Sequence, residues 1–253
     1  GAPVSAVLRA AGHDGGLVLA GGPMTGVCLD NLSVPVVKGL SGGLGQNIFN
    51  PALAARAFLM LLWPAWLVRY APAGAELPLF GSTADVVSAA TPLHDMVMPA
   101  LPAASPADML LGNIGGCIGE VSALALLIGG AILLGRKVIS WRIPAAYLGT
   151  VAFLTLVFYK GEDPVAWMLY SLLGGGVMLG ALFMATDYAT SPALPAAQLV
   201  YGVGCGALTV LFRYFGLYPE GVTYAILLMN AAVWLIDRYT APRRFGAVKG
   251  GAA

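Results

Sequence analysis

Residues 195–213, PAAQLVYGVGCGALTVLFR, form an apolar stretch that decides the fold class. The length is close to the roughly 20 residues that a helix needs to cross a hydrocarbon core of about 30 Å. Further apolar stretches predict spans at 51–69, 118–135, 143–159, 165–186 and 220–236. In lipid, a helix satisfies its backbone polar groups internally. The sequence therefore predicts an all-α integral membrane protein, a bundle of about six transmembrane helices.

The overall composition supports a membrane protein. Of the 253 residues, 58% are hydrophobic and 10% are charged, whereas a soluble domain carries about 25% charged residues. The net charge of +1 offers no basic surface for nucleic acid. Cys28, Cys117 and Cys205 lie far apart in the sequence, without a CxxC pair, so the chain alone is predicted to hold no metal. The lipid bilayer is the expected surrounding.

The small residues and the charges predict how the helices pack and point. Gly176 and Gly180, like Gly202 and Gly206, have the spacing that lets helix backbones approach closely. Residues 1–42 are Gly-rich and hold no stretch long enough to span, which predicts a short soluble N-terminal segment. With six spans, loop 136–142 and the C-terminal tail lie on one side and carry seven basic residues, and the opposite side carries three. The excess predicts a cytoplasmic C-terminus and an outward segment 70–117.

The outward segment contains DVVSAATPL at 85–93, a candidate modification site. Ser88, Ala89 and Ala90 are small, so an enzyme could approach the Thr91 hydroxyl, and Pro92 biases Thr91 toward an extended backbone. The stretch resembles the acceptor motif onto which a flavin transferase moves FMN from FAD, as a phosphodiester on threonine. An ordinary polar loop is the alternative interpretation.

Several blocks resemble one family in the same order along the chain. They are GGLGQNIFNPA at 42–52, GEVSALA at 119–125, ISWRIP at 139–144, YPEGVTYAILLMN at 218–230 and RFG at 244–246. This series is similar to the RnfD/NqrB family of membrane subunits, and the short C-terminus looks more like RnfD.

The resemblance implies a membrane component of an Rnf-type complex, which couples electron flow between reduced ferredoxin and NAD⁺ to Na⁺ or H⁺ movement. Such a component works as an oxidoreductase and translocase within the complex, in the bacterial inner membrane. Thr91 would carry covalent FMN, with Asp85, Ser88 and Ala90 completing the motif, and riboflavin is a further candidate cofactor. The implied partners are the other subunits and a flavin transferase. The runner-up is the NqrB component of a Na⁺-translocating NADH:quinone oxidoreductase.

Residues 1–42 resemble a different component of the same complex, RnfC, in GGPMTG at 21–26 and VPVVKG at 34–39. The predicted organisation is an RnfC-like fragment over 1–42 and an RnfD-like transmembrane domain over 43–253, which carries the flavinylation loop 70–117. A non-redox permease-like bundle and a non-functional chimeric fragment are the rival interpretations.

Three further polar residues are candidates for binding. Asn47 and Asn50 precede a predicted helix with Pro51 at its first position, so Asn50 is a candidate N-cap. The same Gly-rich approach could present backbone amides to a flavin or its phosphate. Glu120 begins the second predicted span and could bind or relay the coupling cation. The alternative for Glu120 is a carboxylate stabilised by the helix N-terminus at the membrane surface.

Overall fold

The structure is a computed structural model that describes residues 48–62, 93, 96, 101–102, 104–114, 122–161, 163–216 and 221–241. All regular structure in these ranges is helical. The helices are α1 (Pro51–Leu62), α2 (Pro106–Leu111), α3 (Ala123–Gly135), α4 (Arg142–Val157), α5 (Pro164–Leu173), α6 (Val177–Leu179), α7 (Pro195–Phe215) and α8 (Val222–Thr240). A π-helical turn, Gly180–Met184, follows directly after α6.

The long helices lie where the apolar stretches predict them. α4 and α7 match the predicted spans 143–159 and 195–213 to within two residues at each end. α1, α3 and α8 match the described parts of 51–69, 118–135 and 220–236. α1 begins where its local sequence predicts, because Asn50 Oδ1 accepts hydrogen bonds from the Ala52 and Leu53 amides at 3.0 and 3.4 Å.

The described helices differ in their capacity to span a bilayer. By length and composition, α7 alone can span a bilayer. α5 together with the segment 177–184 can do so when this bent pair is counted as one span. α1, α3 and α4 are apolar but shorter. The all-helical class is thus found in the described residues, whereas the count of six spans stays a prediction.

The prediction of one continuous helix over 165–186 is wrong. The chain bends by 63° between α5 and the segment 177–184. The bend falls at three consecutive glycines, of which Gly175 has a φ of +69°. That left-handed conformation is open to glycine and costly for other residues, so Gly175 ends α5 and redirects the chain.

α4 and α7 form the closest helix pair of the core. A Cβ atom at Gly202 would approach Ala146 Cβ to 2.8 Å, and one at Gly206 would approach the Tyr147 carbonyl oxygen to 2.8 Å. The packing role predicted for these two glycines is therefore confirmed. Gly180 likewise packs against Val222 of α8, whereas the Cβ position of Gly176 faces open space, so the pairing predicted for Gly176 is wrong.

A row of polar side chains runs along the inner face of α7. Tyr201, Cys205 and Thr209 follow at intervals of four residues and are all fully buried. Thr209 Oγ1 lies 2.6 Å from the Tyr147 hydroxyl of α4, and the Tyr201 hydroxyl donates to Asn230 Oδ1 of α8 at 2.6 Å. Hydrogen bonds of this kind join α7 to both of its neighbours.

We expect Gly175→Ala to destabilise the chain because Gly175 alone of its neighbours holds a positive φ. The left-handed backbone costs an alanine about 1–2 kcal/mol, and its Cβ would meet Arg213 Nη2 at 2.6 Å. Gly176→Ala is the matched control, because Gly176 has a φ of −74° and open space at its Cβ. Thermal unfolding measured in detergent should give a lower Tm for Gly175→Ala and an unchanged Tm for Gly176→Ala. An equal fall of the Tm in both variants would contradict this explanation of the break.

We expect Thr209→Val to cost more stability than Thr155→Val. Both threonines are buried, but the Thr155 hydroxyl bonds only to carbonyl oxygens of its own helix, at 2.7 and 3.2 Å. The Thr209 change also removes the partner of the buried Tyr147 hydroxyl. The expected difference is about 0.6–1.7 kcal/mol, from the average to the largest value measured for hydrogen bonds between membrane helices. The measurement is equilibrium unfolding in mixed micelles.

The double variant Thr209→Val with Tyr147→Phe tests the cause. Each single variant leaves one buried hydroxyl without this partner, whereas the double variant removes both hydroxyls. The double variant should therefore lose less stability than the sum of the two single losses. Strict additivity would show that the two hydroxyls do not stabilise the fold through each other.

Candidate functional site

The described part of segment 70–117, which is predicted to face outward, packs against α5 and the glycine break. Leu93, Met96 and Met109 are buried there. The apolar cluster they join also contains Ile114, Ala123, Trp167, Tyr170, Leu173 and Met178. Apolar packing of residues before, within and after α2 thus holds this segment against α5, the helix that ends at the break.

Hydrogen bonds fix the same segment at two further points. The Tyr170 hydroxyl of α5 donates to the Ala104 carbonyl at 3.0 Å, and Ser122 Oγ donates to the Leu110 carbonyl at 3.2 Å. At the start of α2 the Ser105 hydroxyl donates to Asp108 Oδ2 at 2.6 Å. This bond favours the charged carboxylate and holds the pKa of Asp108 below its ordinary value. α2 therefore begins with a capped and charged first turn.

Arg213 of α7 reaches the break itself. Its Nη1 donates to the Ser171 carbonyl at 2.5 Å, and its Nη2 donates to the Gly174 carbonyl at 2.8 Å. The last carbonyls of a helix have no partner within the helix and carry the negative end of its dipole. A guanidinium with several fixed donors satisfies two of them at once and matches their charge.

Trp167, Tyr214 and Lys160 form a second group of contacts, where α5 begins and α7 ends. Trp167 Nε1 donates to the Tyr214 hydroxyl at 3.0 Å. Lys160 Nζ lies 4.5 Å from the centroid of the Tyr214 ring and 3.4 Å from the Tyr214 carbonyl oxygen. Lys160 and Tyr214 thus meet where α5 begins and α7 ends, whereas the Arg213 guanidinium bonds to carbonyls at the C-terminal end of α5.

Most of the residues predicted for the site lie outside the described residues. These are Thr91, Asp85, Ser88, Ala90, Asn47 and Glu120. Asn50 is described, is buried and caps α1, and a role for it in flavin binding stays a prediction. The described residue nearest in sequence to Thr91 is Leu93, and it lies at the break.

Sequence reasoning missed the part that Arg213 plays. The charge pattern included Arg213 only as one of the three basic residues on the side predicted to face outward. The available signals were an arginine near the end of the apolar stretch 195–213 and the triple glycine at 174–176. Neither signal shows that the two meet, because 39 residues separate Arg213 from Gly174 along the chain.

Comparison with protein families gives one match over most of the chain. Residues 24–246 match the sequence model of the NQR2, RnfD, RnfE family. The match begins before residue 42 and so includes part of the segment that resembles RnfC. The boundary at 42 stays a prediction.

Curated relatives resemble the chain over a similar range. The chain is 46% identical to the D subunit of the Na⁺-translocating ferredoxin:NAD⁺ oxidoreductase complex of Acetobacterium woodii, covering 88% of this chain and 67% of the relative. It is 40% identical to the D subunit of the proton-translocating ferredoxin:NAD⁺ oxidoreductase complex of Clostridium ljungdahlii, covering 85% and 66%. It is 38% identical to the D subunit of the ion-translocating oxidoreductase complex of Stutzerimonas stutzeri, covering 85% and 68%. The chain thus spans about two thirds of the length of these relatives, and it belongs to the NQR2, RnfD, RnfE family.

Proposed function

We propose that this chain acts as the D subunit of an ion-translocating ferredoxin:NAD⁺ oxidoreductase complex of the Rnf type. The observation that carries the proposal is the 46% identity to such a protein over 88% of the chain. The proposed coupling ion is Na⁺ or H⁺, since one similar relative is named for Na⁺ and another for protons. The proposed partners are the other subunits of the complex and the lipid of a bacterial inner membrane, with the C-terminus on the cytoplasmic side.

The proposed cofactor is FMN joined to the Thr91 hydroxyl as a phosphodiester. The sequence DVVSAATPL supports it, since Thr91 has small neighbours and Asp85, Ser88 and Ala90 complete the resemblance to the acceptor motif. Leu93, two residues after Thr91 in the sequence, is packed at the break, where the Arg213 guanidinium bonds to the Ser171 and Gly174 carbonyls.

When bound, FMN supplies the capacity to accept and release electrons. The protein's part is to hold the flavin at a fixed place on the outward side, through the anchored residues that follow Thr91. Attachment would need a flavin transferase and FAD, with the Thr91 oxygen bonding to the FMN phosphorus and AMP leaving. Riboflavin is a second proposed cofactor, and Asn47 and Asn50 are proposed to contact a bound flavin.

The quinone-reducing Na⁺ pump is the alternative complex. The family includes NQR2 as well as RnfD, so family membership alone does not separate the two. The three relatives described above are all D subunits, and two of them are named for ferredoxin and NAD⁺. The ferredoxin complex is therefore the favoured assignment.

We expect the chain, co-expressed with a flavin transferase, to give a fluorescent band that survives denaturing electrophoresis. Thr91→Ala should abolish the fluorescence, because it removes the only oxygen to which the phosphate is proposed to bond. Thr83→Ala is the matched control, since Thr83 lies in the same predicted loop and outside the motif.

Fluorescence that persists in Thr91→Ala would place the flavin on another residue. A wild-type chain that inserts into the membrane, meets active transferase and remains dark would contradict the covalent flavin altogether. That result would favour the permease-like interpretation.

A further inference from the structure

The helix α3 ends in a turn, residues 136–138, whose sequence is Arg-Lys-Val and which is called the basic turn below. The Lys137 amide donates to the Leu134 carbonyl, and the Val138 amide donates to the Leu133 carbonyl, both at 3.0 Å. These two bonds are the Schellman pattern, in which the residue at the place of Lys137 has a left-handed backbone and is usually glycine. Lys137 has a φ of 55°.

A lysine in this conformation is costly to the fold, because the left-handed region disfavours every residue that has a Cβ atom. Lys137 is the one non-glycine residue with a positive φ in the described part of the chain. The negative end of the helix dipole attracts its ammonium group only weakly at an exposed helix end. Backbone outliers of this kind point to a function of the side chain. The side chain of Lys137 is exposed, so its charge can meet a group outside the chain.

The outer face of α3 leads from apolar side chains to the basic turn. Ile128 and Ile132 are each more than half exposed, and the exposed Arg136 follows at the same spacing of four residues. Val138 and Trp141 are also more than half exposed. A row of exposed apolar side chains matches the hydrocarbon of a bilayer, and a long basic side chain at the end of the row reaches the headgroups. The basic turn therefore lies where apolar surface gives way to charge.

Contacts with α7 place the end of α8 at the same end of the bundle. Ser140 Oγ donates to Gln198 Oε1 at 2.8 Å, so the loop after the basic turn lies at the start of α7. Tyr201, in the next turn of α7, bonds to Asn230 in the second half of α8. The residue before α8 packs near the far end of α7. The two helices thus run in opposite directions, and α8 ends where α7 begins.

Two further cations lie at this end. Arg142 begins α4, and Arg238 Cζ of α8 lies 5.7 Å from the centroid of the exposed Trp234 ring. The described residues of this end carry four basic side chains, against the two carboxylates of Asp187 and Asp237. In the described part of the chain, no carboxylate forms an ion pair with any of the four. The surplus of positive charge is therefore available to an anionic partner.

We propose that the basic turn, with Arg142 and Arg238 at the same end, binds the anionic headgroups of phospholipids in preference to zwitterionic ones. The partner is a lipid and not a free phosphate, because the exposed apolar side chains below the turn provide a surface for acyl chains. Basic clusters next to a membrane span are attracted to anionic lipid of the cytoplasmic leaflet. The inference rests on the proposed place of the chain in a bacterial inner membrane and is independent of the flavin.

The experiment compares phosphatidylglycerol with phosphatidylcholine of the same acyl chains, added to the full chain purified in a neutral detergent. A lipid that binds the folded chain raises its Tm, so a lipid titration gives an apparent affinity. We expect the wild type to bind phosphatidylglycerol more tightly than phosphatidylcholine. Arg136→Gln and Lys137→Gly should each weaken phosphatidylglycerol binding about fivefold. Lys160→Gln is the matched control, because Lys160 is exposed at the opposite end of α7 and should leave both affinities unchanged.

Lys137→Gly also separates lipid binding from folding. Glycine fits the left-handed position better than lysine does, so without lipid this variant should unfold at or above the wild-type Tm. It should nevertheless lose affinity for phosphatidylglycerol. A lower Tm without lipid, with phosphatidylglycerol affinity unchanged, would show that Lys137 serves the helix end and would overturn its role in lipid binding.

Equal affinity of the wild type for the two lipids would overturn the inference. An equal rise of the Tm with inorganic phosphate would overturn it too, because that is the behaviour of an anion site without lipid recognition. Unchanged phosphatidylglycerol affinity in the combined variant Arg136→Gln with Lys137→Gly would assign this end to a different partner, such as an acidic surface of a neighbouring subunit. These results leave the proposed function standing, whereas a wild-type chain that does not insert into membranes would contradict the proposed location as well.

Discussion

The guanidinium of Arg213 holds together the part of the fold on which the rest depends. α5 ends inside the bundle, and its last carbonyls would be left without donors if Arg213 did not reach Ser171 and Gly174. Unpaired backbone groups are costly away from water. The two hydrogen bonds therefore make the 63° bend possible and tie α7 to it. Leu93 packs at the same place, so the described part of segment 70–117 is held against the bend.

The inner face of α7, the helix that carries Arg213, packs against α4 and α8. Gly202 and Gly206 let α7 lie against the α4 backbone, and the close approach brings Tyr147 and Thr209 within hydrogen-bond distance. Further along, Tyr201 reaches Asn230 of α8. Small residues and polar pairs are what membrane helices use when lipid is as apolar as their own side chains. Arg213 thus stands on a helix that close packing already fixes on two sides.

The sequence predicted the helices better than it predicted their meeting points. Apolar length located α4 and α7, and the Asn50 cap with Pro51 located the start of α1. The triple glycine was visible, but a small-residue spacing near 176 and 180 indicates packing and a break equally well. Only Gly175's positive φ and its contact with a distant arginine decide between them. Contacts over 39 residues depend on tertiary packing, which no local pattern encodes.

The proposed site could likewise be predicted only in part from the sequence. A local motif predicts Thr91 as the flavin acceptor, whereas the place of Leu93 and Arg213 at the break became apparent only from the fold. The most direct measurement is mass spectrometry of the chain purified from cells that contain an active flavin transferase. The account predicts one added FMN less one water, located on Thr91 by fragmentation. An unmodified chain, or a flavin on another residue, would contradict it.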